Sequence, residues 1–129
     1  MSKYKVAVIE DNPTESFLLK MALASVSNIE VSLYENANSL IETFSDMADI
    51  FIVDINLPDM NGLDLINEIL AKKKTSRIFV MSAQEDMSVV SKLQESNIAN
   101  YVVKNKACLT YLKSSIDKEV SLLEAGYYS

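Results

Sequence analysis

Ile50-Phe51-Ile52-Val53-Asp54 is a short apolar run that ends in a carboxylate, and Ile55-Asn56-Leu57-Pro58-Asp59-Met60-Asn61-Gly62 follows it at once. A continuous apolar run of this length, closed by turn residues, reads as a strand buried on both faces, as parallel sheets require. The Pro/Asn/Gly cluster turns the chain, and a helical pattern with Leu63, Ile66 and Leu70 facing inward begins after Gly62. The C-terminal tips of strands in open α/β sheets are where such folds do their chemistry. Asp54 stands at one of these tips.

The same organisation extends outward in both directions. Val6-Ala7-Val8-Ile9 ends in Glu10-Asp11, Ile78-Phe79-Val80-Met81 ends in Ser82, and Tyr101-Val102-Val103 ends in Lys104. The first strand covers about 4–9. A helix begins near Pro13, with Asn12 as N-cap, Pro13 at the first helical position and Glu15 placed to close a capping box. Phe17, Leu18, Met21 and Ala22 recur in it at helical spacing. Glu30-Val31-Ser32-Leu33-Tyr34 alternates polar and apolar residues, which suits an edge strand with one wet face. Leu40, Ile41 and Phe44 mark a second helix. A fourth covers about 86–96 with Met87, Val90 and Leu93 inward, and a fifth about 107–125 with a stripe of Leu109, Leu112, Ile116, Val120 and Leu123. Five strand–helix pairs in strict alternation predict an α/β fold, a doubly wound five-stranded parallel sheet with helices on both faces. In the order 2-1-3-4-5 the tips of the first and third strands lie side by side, so Glu10-Asp11 and Asp54 converge.

Length and composition set the outer limits. At 129 residues and 49% hydrophobic, the chain suits one domain with a full core, and two Gly and two Pro leave little for linkers. Residues 1–125 read as the domain, and 126–129 as a tail or the start of a linker. The formal net charge of −6 disfavours direct contact with nucleic acid and favours cationic partners. No stretch is long enough to span a bilayer, no leader pattern precedes the first strand, and the single cysteine, Cys108, cannot form an internal disulfide. A cytoplasmic location is the expectation. The absence of histidine excludes Ser-His-Asp catalysis and His-ligated zinc.

A carboxylate can attack phosphorus and carry the group as an acyl phosphate. The obstacle is repulsion between two anions, which a divalent cation relieves. Mg²⁺ takes oxygen ligands and keeps several waters. Asp11, Asp54 and a backbone carbonyl after Asp54 offer such ligands, with Glu10 acting directly or through a water. Lys104 can pair with phosphoryl oxygens from the other side, and Ser82 can donate one hydrogen bond to them. Each residue alone reads equally well as a turn former, a helix cap or a solvated strand end. Their joint placement at four strand tips favours chemistry.

These segments are the basis of a resemblance. Val8-Ile9-Glu10-Asp11-Asn12, Ile52 through Gly62, Met81-Ser82-Ala83 and Ala99-Asn100-Tyr101-Val102-Val103-Lys104 make the chain similar, over essentially its whole length, to response-regulator receiver domains. The resemblance implies the flavodoxin-like receiver fold. It implies that Asp54 is the phosphoacceptor in a two-component phosphorelay, supplied by a histidine kinase or a histidine phosphotransfer protein. It implies Mg²⁺ held by Glu10, Asp11, Asp54 and the carbonyl of Asn56. It makes Ser82 and Tyr101 a switch pair, and it places the output on the fourth helix, fifth strand and fifth helix. A homodimer is compatible with it. The residue after Lys104 is Asn105, where many receivers have proline, so the Lys104–Asn105 bond is expected to be trans. That feature, with Leu122 through Ser129, looks most like receivers of the LuxR/NarL type. In those a DNA-binding domain follows the receiver and transcription is regulated; the other reading is a stand-alone receiver.

Three other readings compete. A phosphohydrolase working through an aspartyl phosphate would use Asp-x-Asp, but the second position is Asn56, which cannot protonate a leaving group; the expectation is therefore not an enzyme. A flavin carrier of this fold would need a Gly/Ser/Thr-rich phosphate loop where Glu10-Asp11-Asn12-Pro13 stands. A pseudo-receiver that binds partners without phosphorylation shares the fold and is the alternative that sequence opposes least.

Overall fold

The structure, a computed structural model, describes residues 4–43, 48–83 and 100–126. Their element order is β1 (Tyr4–Ile9), α1 (Pro13–Leu23), β2 (Ile29–Tyr34), α2 (Ala37–Ile41), β3 (Ile50–Asp54), α3 (Gly62–Lys72), β4 (Arg77–Ser82), β5 (Asn100–Val103) and a C-terminal helix (Cys108–Glu124). Phe44, the helix expected at 86–96 with Met87, Val90 and Leu93, and residues 127–129 of the expected 126–129 tail lie outside the described residues.

The strands form one parallel sheet in the order β2-β1-β3-β4-β5, as the alternation of elements predicts. All five residues of β3 are buried, because it is the middle strand and is covered on both faces. Alternate side chains feed two cores. Ala7, Ile9, Phe51, Val53, Ile78 and Val80 meet α2 and α3. Val6, Val8, Ile50, Ile52, Phe79 and Met81 meet α1 and the C-terminal helix. β2 lies at the edge, and Glu30, Ser32 and Leu33 are exposed.

The helices depart from expectation in instructive ways. In α1 the buried residues are Ser16, Leu19 and Leu23. Phe17, Leu18 and Met21 point to solvent, 60%, 45% and 59% exposed. Both sets recur at helical spacing, so periodicity alone does not say which stripe faces the sheet. In α3 the buried face is Leu65, Ile66 and Ile69, with Leu63 and Leu70 partly buried at its flanks. The C-terminal helix follows the sequence reading: Leu112, Ile116 and Val120 are buried and Leu109 and Leu123 half-buried.

Candidate functional site at the strand tips

The register brings the expected residues together. Ile9 pairs with Val53, so Glu10 and Asp54 are next to each other at the ends of β1 and β3. Asp54 pairs with Met81, which sets Ser82 one residue beyond it, and Ser82 pairs with Val103, immediately before Lys104. The tips are tied by backbone bonds: Ile55 N–H donates to Met81 C=O at 3.0 Å, and Lys104 N–H to Ser82 C=O at 2.8 Å.

The loop after Asp54 is fixed at both ends. Asn56 N–H donates to Asp54 Oδ1 at 2.9 Å, a turn that aligns the carboxylate. Asn56 and Asn61 form an isolated antiparallel bridge, and Gly62 N–H donates to Ile55 C=O at 3.0 Å. A Cβ at Gly62 would lie 2.5 Å from Ile55 Cα, so no side chain fits there. Asp59, in the same loop, accepts from Ala37 N–H and Asn38 N–H at 3.0 and 2.9 Å and so caps α2.

Lys104 is the centre of the charge arrangement. Its Nζ is 2.9 Å from Asp54 Oδ2, 3.1 Å from Glu10 Oε2 and 3.3 Å from Glu15 Oε1. Glu10, Asp54 and Ser82 are buried, whereas Asp11 is exposed. Burial first, and then the Asp54 carboxylate beside it, push the Glu10 carboxyl up to about 8, against the pull of Lys104 and the Asn12 N–H. Burial by itself would lower the Lys104 pKa; the bonds and charges of Asp54 and Glu10 outweigh it and raise it. The ammonium therefore stays charged, pairs with the buried Asp54 carboxylate and donates to the Glu10 carboxyl.

Glu10, Asp11 and Asp54 each present an oxygen within 4.8 Å of the others'. An all-oxygen set of this size is what a hard cation such as Mg²⁺ takes, and crowded carboxylates require positive charge in any case. Tyr101 lies on the sheet face opposite Val102, half-buried against the α2/α3 core, with its strand position three residues from Lys104. No peptide bond among the described residues is cis, so Lys104–Asn105 is trans as expected.

Glu15 is the residue whose place here the sequence reading did not foresee. The sequence pattern places it in a capping box, in which its carboxylate accepts the Asn12 N–H. Glu10 Oε1 takes that N–H instead, at 3.2 Å, while Asn12 Oδ1 caps Thr14 and Glu15 N–H at 2.9 and 3.1 Å. Glu15 is thereby left to reach Lys104. The available signal was its position one turn along a helix that starts directly at the acidic tip.

Comparisons with known proteins give the family and the fold. The family model described as "Response regulator receiver domain" matches residues 6–113. Among curated proteins the chain is 33% identical, over 97% of its length, to protein-glutamate methylesterase/protein-glutamine glutaminase 2 of Paramagnetospirillum magneticum, of which it covers 33%. It is 25% identical to the chemotaxis protein CheY of Thermotoga maritima, over 78% of this chain and 84% of that protein. The chain spans about a fifth to a third of the length of the first curated relatives it matches. Among solved structures, a CheY-like receiver domain protein from Methanospirillum hungatei superposes with a TM-score of 0.84 at 16% identity, covering 97% of this chain and 99% of that one.

Proposed function

The chain belongs to the response-regulator receiver family, and from that premise we propose that it is a phosphorylation switch with Asp54 as acceptor. The observation that carries this reading is the buried Asp54 carboxylate, 2.9 Å from the Lys104 ammonium and grouped with the Glu10 and Asp11 oxygens within 4.8 Å. The donor is a phosphohistidine on a histidine kinase or phosphotransfer protein. An Asp54 carboxylate oxygen bonds to phosphorus, the phosphorus–nitrogen bond to the donor breaks, and the histidine leaves with the nitrogen lone pair.

Receiver domains bind Mg²⁺ at an acidic pocket, and this chain carries such a triad. Glu10, Asp11, Asp54 and the Asn56 carbonyl are the ligands proposed here. Bound Mg²⁺ would offset the repulsion between carboxylate and phosphoryl oxygens. Lys104 holds the aligned Asp54 carboxylate and then follows the charge onto the phosphoryl group. Ser82, at the tip of the adjacent strand, donates a hydrogen bond from its hydroxyl to the same group. Its movement and that of the Tyr101 ring pass the change to β5 and the C-terminal helix. A near-complete switch asks for about 5.5 kcal/mol of differential stabilisation, within reach of a few charge-assisted contacts.

The output is protein–protein recognition on that face, either within a longer regulator, as the LuxR/NarL-like features suggest, or in a stand-alone receiver. One curated relative is named as a methylesterase, and this chain spans only a third of it. The test is incubation with acetyl phosphate and Mg²⁺ followed by intact mass measurement. One base-labile phosphoryl addition is expected, absent from Asp54→Asn. An equal gain in Asp54→Asn would refute the assignment.

A further inference from the structure

An ammonium group has three N–H donors, and among the described residues Lys104 has three carboxylate partners to use them. Phosphorylation turns the Asp54 carboxylate into an acyl phosphate, so the N–H that Asp54 held follows the charge to the phosphoryl group; a second contact of Lys104 with a phosphoryl oxygen displaces Glu10 or Glu15. The partners are unequal. Glu10 is 2% exposed, and its oxygen would be left buried without that bond if the lysine turned away from it. Glu15 is 41% exposed and has the longest contacts, 3.3 and 3.4 Å, so water readily replaces the lysine there. Its backbone is fixed by the Asn12 cap, and its carboxylate is not engaged in a capping box, because Glu10 already accepts the Asn12 N–H.

We propose that Glu15 is a positioning residue for the acceptor site: it occupies the third hydrogen bond of Lys104 in the unmodified protein and gives it up to the phosphoryl group. This rests on the reading of Asp54 as phosphoacceptor. The ion pair joins α1 to the loop after β5 in the wall of a cavity of about 350 Å³, which Leu18, Leu19 and Leu109 also line. Glu15 thus sets part of the cost of phosphorylation without touching the reacting atoms. Removing its bond should speed phosphoryl uptake.

Two variants separate the bond from mere charge. Glu15→Gln removes the charge. Glu15→Asp keeps the charge but, one methylene shorter on a fixed backbone, withdraws it from Lys104. The measurement is the rate of phosphoryl uptake from acetyl phosphate at saturating Mg²⁺, together with beryllofluoride affinity and thermal midpoint. Both variants should take up phosphoryl roughly two- to fivefold faster than the unaltered protein, the range expected for a partly exposed ion pair, and bind beryllofluoride correspondingly tighter. A purely structural role would move the midpoint and not these two readouts. Acceleration in Glu15→Gln but not in Glu15→Asp would mean that only net charge matters and would overturn the proposal. So would unchanged or slower uptake in both. Asp54→Asn is measured alongside: uptake there would sink the acceptor reading itself, whatever the Glu15 variants do.

Discussion

Glu10 gives the clearest test at the scale of one residue. Its folded pKa, about 8, lies above the ordinary carboxylate value because it is buried beside Asp54. Between the two values the folded protein holds a proton that the unfolded chain has lost. Stability from this group is therefore full below about pH 4.5 and is lost as pH rises through 8. In chelator, the thermal midpoint should fall from pH 5 to pH 8.5. Glu10→Gln should flatten that slope and be the more stable protein at the alkaline end. A midpoint that rises over this interval would refute the buried-acid account. Gly62 gives a second test. Its missing Cβ would sit 2.5 Å from Ile55 Cα, against backbone that cannot yield cheaply. Gly62→Ala should cost about 2–4 kcal/mol in a denaturant titration, at the upper end of ordinary single substitutions, and should slow phosphoryl uptake by shifting the Asp54 loop.

At the scale of elements, α1 has two stripes with different uses. Leu19 and Leu23 are spent on the core. Phe17, Leu18 and Met21 stay in water, and Leu18 also lines the cavity that reaches Lys104 and Glu10. An exposed apolar stripe bordering an acceptor site suits docking of a protein phosphodonor. Phe17→Ser with Met21→Ser should slow transfer from a phosphorylated donor protein at least tenfold and leave uptake from acetyl phosphate within twofold, since about 1.4 kcal/mol of lost binding gives a factor of ten. Equal loss with both donors would mean damage to the site rather than to docking. Asp59 couples two other elements. Its carboxylate caps α2 from the loop that begins at Asp54. Asp59→Ala should speed amide exchange at Ala37 and Asn38 and leave β3 protected.

For the whole molecule, the proposed switch sends its signal across the sheet from the tips to the side formed by β5 and the C-terminal helix. Amide exchange with and without beryllofluoride in Mg²⁺ should change around Ser82, Tyr101 and the start of the C-terminal helix. Changes confined to α1 and α2 would rule this route out. A large part of this architecture was legible in the sequence. Buried parallel strands must be apolar along their whole length, so β1, β3 and β4 announce themselves, and alternation with helices fixes a parallel sheet whose tips collect at one end. Glu10, Asp54, Ser82 and Lys104 are legible as strand-tip residues because each ends or directly follows an apolar run, with Asp11 next to Glu10. What only the tertiary structure decided is what depends on distance between elements remote in sequence. Which stripe of α1 faces the sheet follows from how the helix seats on β1 and β3, since both stripes are apolar. Glu15 leaves its local cap for Lys104, 89 residues away, because Glu10 has already taken the Asn12 N–H. The charge state of Glu10 follows from burial beside Asp54, a neighbour supplied by sheet register. Sequence pattern reports each residue's local preference; desolvation and the competition of several carboxylates for one ammonium exist only once the strands are side by side.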